Sequence, residues 1–216
     1  MSDFLLVLGN KRYSSWSLRG YLALKFAGID FKEEVIPLFE EGTHAKIQSF
    51  ASDAPPRVPL LLKDNLVVWD TLSIMEYAAE NSNTGSLWPE DSAARAYARS
   101  VVAEMHAGFV ALRSHIPMNL SRDDAYQPLL EDVQADIDRI FFIWENCRRQ
   151  YASGGPYLFG RLSMADAAFA PVVSRLKSRS VPVTEICEEY CKAVWDLPAF
   201  AEWREAAARE PWIIDQ

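Results

Sequence analysis

Ser14 and Ser15 stand where an apolar run, Phe4-Leu5-Leu6-Val7-Leu8, gives way to helix-forming sequence in Tyr13-Ser14-Ser15-Trp16-Ser17-Leu18-Arg19. A serine at a helix start caps free amides, and those same N–H groups, with the helix dipole, favour a bound anion. Farther on, Arg57-Val58-Pro59 leads into Leu60-Leu61, and Asp70-Thr71 opens a second helical pattern. Each piece also has a plain structural reading. The serines would be simple caps, Pro59 an ordinary trans proline at a strand start, and Asp70-Thr71 a simple N-cap.

The elements that must position these residues follow from periodicity. The Phe4–Leu8 run fits a strand buried on both faces. A helix from Ser14-Ser15 runs through Leu18, Leu22 and Phe26 to Gly28, which serves as its stop. Phe31–Ile36 reads as a second strand and Thr43–Phe50 as a short helix. Val58–Leu62 and Leu66–Val68 form a hairpin around Asp64-Asn65. Asp70 or Thr71 then caps a helix through Ile74, Tyr77 and Ala78. The order β-α-β-α-β-β-α predicts a mixed four-stranded sheet.

The breaker-rich stretch from Asn81 to Ser86 marks a domain boundary. The division is residues 1–81, a linker at 82–88, and residues 89–216, where the pattern is helical throughout. Ala93 to His115 reads as one long helix and Asp124 to Tyr151 as another, with Leu130, Val133, Ile137, Ile140, Phe141 and Trp144 on its apolar face. Ser163-x-x-Asp166 has the spacing of a capping box with Asp for Glu.

The whole chain has 216 residues, half of them apolar, and a net charge of -8. That charge argues against non-specific nucleic-acid binding and against an anionic membrane surface. No apolar run is long enough to cross a bilayer. The N-terminal residues lack a basic leader, and a cytoplasmic protein is expected. The cysteines at 147, 187 and 191 form no CxxC, and the three histidines show no metal-ligand spacing with them, so no metal is expected.

The layout resembles the cytosolic glutathione transferase family over nearly the whole chain. The resemblance is carried by the serine turn at Tyr13–Arg19, by Val58-Pro59 and by Asp70-Thr71. Leu87-Trp88-Pro89 with Arg95-Ala96, and the segment Gly160 to Asp166, carry it into the helical half. It implies an α/β thioredoxin-like N-terminal domain with an all-α C-terminal domain, and a homodimer. Ser14-Ser15-Trp16-Ser17 is most similar to the zeta-like Ser-Ser-Cys-Ser turn, with Trp16 where that class has cysteine. On that pattern Ser14 holds the thiolate of glutathione. Counting back from Arg19, as in the theta and delta classes, points to Ser15, and Tyr13 is a third candidate.

The resemblance further implies a cis Pro59, with the Val58 backbone pairing to the cysteinyl part of glutathione. Asp70 would take the γ-glutamyl ammonium and Thr71 its carboxylate. His44 and Arg57 would approach the glycyl end. Met105, His106 and Phe109 would wall the second-substrate pocket. Asp166 is a folding element in this reading and not a catalytic acid. The implied activity is glutathione-dependent transfer to small electrophiles. One alternative is a glutathione-dependent cis-trans isomerase, such as one acting on maleylacetoacetate. Another is a non-catalytic glutathione or ligand-binding module. A thiol-disulfide oxidoreductase would need a cysteine in the Ser14–Ser17 turn, and none is present.

Overall fold

The computed structural model describes residues 3–214. Four strands, β1 (Phe4–Gly9), β2 (Phe31–Ile36), β3 (Leu60–Lys63) and β4 (Leu66–Trp69), form one mixed sheet in the order β2-β1-β3-β4. β1 runs parallel to β2 and antiparallel to β3, and β3 pairs antiparallel with β4 across the Asp64-Asn65 turn. Side chains alternate across β1. Leu6 and Leu8 enter the large core, while Val7 joins a smaller cluster with Ile36, Ile47 and Leu60 on the other face. β3 begins at Leu60 and not at Val58, in keeping with a proline that has no N–H to give a ladder.

Helices α1 (Ser15–Phe26), α2 (Thr43–Gln48) and α3 (Thr71–Glu80) complete this half. α1 is central. Leu18, Leu22, Ala23 and Leu24 are fully buried, because the helix lies among the sheet, α3 and the helical half. Burying each such leucine contributes about 1.5–3 kcal/mol. Gly20 lets α1 close on the site: a Cβ there would meet the Pro59 ring at 3.1 Å. Gly28, at φ 62°, ends the helix in the left-handed region that favours glycine.

The 82–88 stretch is tied down and not loose. Asn83 N–H donates to Ala27 O, and Thr84 Oγ1 donates to Phe26 O at 2.6 Å. Beyond it come α4 (Ser92–Ala107), α5 (Val110–His115), α6 (Glu131–Tyr151), α7 (Met164–Ser178), α8 (Glu185–Trp195) and α9 (Pro198–Ala208). The expected single helix 93–115 is two, broken at Gly108-Phe109, where Phe109 adopts φ 55°. The helix expected from Asp124 starts instead at Glu131. Pro128 interrupts the preceding segment, and Leu130 is the exposed N-cap and not part of the apolar stripe. That stripe is Val133, Ile137, Ile140, Trp144 and Cys147, all buried.

The Ser163–Asp166 box closes as its spacing predicts. Asp166 Oδ2 accepts from Ser163 N–H at 2.8 Å and from Ser163 Oγ at 2.9 Å, and Oδ1 accepts from Leu158 N–H. Burial nevertheless pushes its carboxyl up to about 6, against the pull of those donors. Cys187 and Cys191 lie on α8 as packing residues. Burial raises both thiols, Cys191 to about 12, which makes them poor nucleophiles.

Candidate functional site

The serine turn hangs from the end of β1. Asn10 O accepts from Tyr13 N–H at 3.1 Å and from Ser14 N–H at 2.8 Å, which bends the chain into α1. Ser14 is the N-cap. Its Oγ accepts from Ser17 N–H at 3.2 Å and donates to Ser17 Oγ at 2.8 Å. Ser17 Oγ in turn accepts from Gly9 N–H, so strand end and helix start are linked through two hydroxyls. Ser15 turns the other way, and its Oγ accepts from Arg175 Nη2 on α7 at 3.2 Å. Tyr13 is buried, and its hydroxyl accepts from Ile214 N–H.

Two cavities adjoin this turn. One, of about 640 Å³, is lined by Ser14, Trp16, His44, Arg57 and Val58 together with the Leu38–Ala45 segment. The other, of about 350 Å³, is lined by Trp16, Arg57, Val58, Pro59, Asp70, Thr71, His106 and Arg113, with Pro55 and Trp69. Trp16, Arg57 and Val58 are common walls, so the two form one cleft across the strand ends. The Val58-Pro59 peptide is cis, and Val58 lies just outside the β3 ladder.

The far end of the cleft is the start of α3. Asp70 is its N-cap: Oδ1 accepts from Leu72 N–H at 2.8 Å, and Oδ2 lies 3.2 Å from His106 Nε2. Asp70 sits at φ 70°, ψ 137°, a conformation that costs a non-glycine residue about 1–3 kcal/mol. His106 Nδ1 is 3.4 Å from Thr71 Oγ1, and the imidazole lies 5.1 Å from the Trp16 ring.

The cleft thus brings together Ser14, His44, Arg57, Val58, Pro59, Asp70, Thr71 and His106. Three expected residues lie elsewhere. Ser15 faces Arg175 and lines neither cavity, while Met105 and Phe109 are buried in the core. Apolar residues at helical spacing serve core and pocket wall alike, so periodicity cannot separate the two uses.

The family models match both halves of the chain. The model described as glutathione S-transferase, N-terminal domain, matches residues 13–81, and that for the C-terminal domain matches residues 96–206. The chain belongs to the glutathione S-transferase family. It is 26% identical over 172 residues to maleylacetoacetate isomerase of Mus musculus, covering 79% of this chain and 76% of that protein. It is 24% identical over 167 residues to protein IN2-1 of Zea mays, covering 76% of this chain and 63% of the maize protein. A Burkholderia glutathione transferase homologue solved with bound glutathione superposes with a TM-score of 0.68 at 23% identity, over 96% of this chain and 99% of that one.

This transferase carries a feature that sequence reasoning missed. Three arginines gather around the serine turn, Arg19 and Arg175 behind it and Arg113 in the cleft wall. The Arg19 guanidinium lies 4.6 Å from the Trp16 ring centre and that of Arg113 lies 5.5 Å away, while Arg175 holds Ser15. Arg19 donates to Ala168 O and Arg175 to Ile116 O, but none of the three pairs with a carboxylate among the described residues. Arg19 Nη2 and Arg175 Nη1 are buried without acceptors. Burial first, and then the neighbouring arginines, hold Arg19 well below its usual range. Burial and Arg113 bring Arg175 down to about 10. A crowded, desolvated cluster of like charge lowers the energy of any anion placed beside it. The available signal was Arg175 itself, a charged residue in the largely apolar run of α7. Among the described residues no cluster of His, Cys, Asp or Glu could hold a metal ion, and no helix is long and apolar enough to cross a membrane.

Proposed function

We propose that the protein lowers the pKa of the glutathione thiol and directs the thiolate at a small electrophile, with Ser14 as the hydroxyl that holds the sulfur. The observation that carries this reading is the cleft itself. It opens at one end on the Ser14 cap of α1 and at the other on the Asp70-Thr71 cap of α3, with Val58 between them. Two helix N-termini then serve two anionic groups of one peptide, the thiolate and the γ-glutamyl carboxylate. Thr71 Oγ1 and the α3 amides take that carboxylate, and Asp70 takes the γ-glutamyl ammonium. Val58 pairs through its backbone with the cysteinyl residue. His44 and Arg57, exposed on the wide side, meet the glycyl carboxylate.

The thiol proton leaves to solvent. The sulfur forms a bond to an electrophilic carbon, and the leaving group departs with the displaced electron pair. Ser14 turns the one hydroxyl proton it gives Ser17 Oγ in the free protein toward the sulfur, and Ser17 Oγ donates to Ser14 Oγ in exchange, so the charge-assisted hydrogen bond strengthens as the thiolate forms. Behind it, Arg19 and Arg175 add a positive field. The second substrate lies against Trp16, His106 and Arg113. Leu66 and Trp69 leave exposed apolar surface on the edge strand β4, and an edge of this kind is normally covered. That supports a homodimer. Free cysteines throughout agree with a cytoplasmic protein.

One observation favours a second reading. Arginines without carboxylate partners suit an anionic second substrate, and the mouse relative is named maleylacetoacetate isomerase. In that reading the thiolate adds to a cis double bond, the adduct rotates, and the sulfur leaves again, so glutathione is regenerated. The deciding experiment titrates the ultraviolet thiolate absorbance of bound glutathione. It then follows turnover with an aryl halide and with a cis-enedioate. A lowered thiol pKa with net glutathione consumption supports the transferase. A lowered pKa with isomerisation and no consumption supports the isomerase. Binding without a pKa shift refutes both and leaves a carrier.

A further inference from the structure

The turn that precedes Ser14 is gripped from the far end of the chain. Glu210 follows α9. Its Oε1 accepts from Lys11 N–H at 2.7 Å and its Oε2 accepts from Arg12 N–H at 3.0 Å, across 199 and 198 residues of sequence. The contact is reciprocal: the Arg12 guanidinium returns to the carbonyl oxygens of Ala207, Glu210 and Trp212. Trp203 Nε1 donates to Lys11 O at 2.8 Å, and Ile214 N–H donates to the Tyr13 hydroxyl. Residues 11, 12 and 13 are therefore each held by the C-terminal segment.

We infer that Glu210 is a positioning residue for the thiolate site, a carboxylate clamp that fixes the β1–α1 turn and through it the Ser14 hydroxyl. This rests on the proposed role of Ser14. The physical case is local. Asn10 O closes the turn from inside by accepting from Tyr13 and Ser14 N–H, and the Glu210 carboxylate closes it from outside by accepting from the two amides just before them. Hydrogen bonds from amides to a carboxylate are charge-assisted and stronger than neutral ones. Without the carboxylate, two adjacent N–H groups lose their acceptor in a partly buried place. The turn can then relax only by moving the segment that carries Ser14. A displacement near 1 Å at a reacting centre can cost about a hundredfold in rate. The Asp70-Thr71 end of the cleft is untouched, so glutathione affinity should be largely kept.

The test compares wild type, Glu210→Ala and Glu202→Gln. Glu202 links α9 to α1 through Tyr21 and Lys25 without touching the turn, and so controls for a general loosening of α9. Four quantities are read: the pKa of bound glutathione thiol, the kcat and KM for glutathione, and the Tm. Glu210→Ala is expected to raise the bound thiol pKa by about one unit. It should lower kcat about tenfold or more and move KM less than about threefold. Glu202→Gln is expected to lower the Tm and leave the thiol pKa unchanged. If Glu210→Ala lowers the Tm with wild-type thiol pKa and kcat, the inference is overturned. Should that variant not fold, Glu210→Gln keeps the shape of the side chain, removes its charge and takes an acceptor from one of the two amides, and must give the same split between kcat and KM. If it does not, the inference is again overturned. A wild type that leaves the thiol pKa unshifted sinks the thiolate reading itself, before either variant is considered.

Discussion

Substituting Ser14 and Ser15 singly should have opposite consequences, although the residues are adjacent. Ser14→Ala removes the one hydroxyl of the pair that lines the cleft. A hydrogen bond to a charged group contributes about 1.5–3 kcal/mol, and each pKa unit corresponds to 1.36 kcal/mol. The thiol of bound glutathione should therefore rise by about 1–2 units. The same change strips the cap from Ser17 N–H, at about 1 kcal/mol of stability. Ser15→Ala leaves the cleft wall intact and removes the acceptor of Arg175 Nη2. Arg175 Nη1 already lacks an acceptor, so both terminal nitrogens would be unpaired in the interior. That should cost about 1–3 kcal/mol of stability with little change in the thiol. Ultraviolet titration of the thiolate reads the first effect and denaturant unfolding reads the second. A wild-type thiol pKa in Ser14→Ala, or an equal or larger shift in Ser15→Ala, would refute the assignment.

Three further outcomes follow from the same geometry. Thr71→Val keeps the shape of the side chain and removes its hydroxyl, so glutathione should bind about 10- to 100-fold more weakly with its bound thiol pKa unchanged, by calorimetry and ultraviolet titration. Arg113→Met should lower kcat/KM about tenfold or more for an anionic electrophile and leave a neutral one within about twofold; equal losses would remove Arg113 from the second-substrate wall. Asp166 titrates at 3.8 when unfolded and at about 6 when folded, because burial disfavours the charge. The folded state thus holds its proton more tightly. The resulting stabilisation is complete below about pH 4 and is lost as pH rises through about 6, roughly 3 kcal/mol in all. The stability of wild type relative to Asp166→Asn should decline over that interval, and a flat or rising difference in urea unfolding would contradict it.

Much of the fold was legible because its signals are local. The Phe4–Leu8 run, the Gly28 stop, the Asp64-Asn65 hairpin and the Ser163–Asp166 box each depend on residues within a few positions of one another. The break between α4 and α5 was not legible. Met105, Phe109 and Leu112 keep helical spacing across it, and Phe109 takes a left-handed backbone while its ring is buried in the core. Packing overrides periodicity there. The start of α6 was not legible either, because Leu130 fits the apolar spacing but falls just after Pro128 and sits at the N-cap in solvent.

The site divides along the same line. Caps are written in sequence, because a side chain reaches only amides two or three residues ahead. Ser14 over Ser17 and Asp70 over Leu72 could therefore be read directly as places where a helix start meets an anion. Which serine faces the cleft could not. That depends on Arg175 reaching Ser15 across 160 residues. His106 beside Asp70 and Thr71, the arginines around Trp16, and Glu210 under the serine turn are contacts of the same kind. They are made by elements that meet only when α1 is buried between the sheet and the helical half, and no spacing along the chain encodes that meeting.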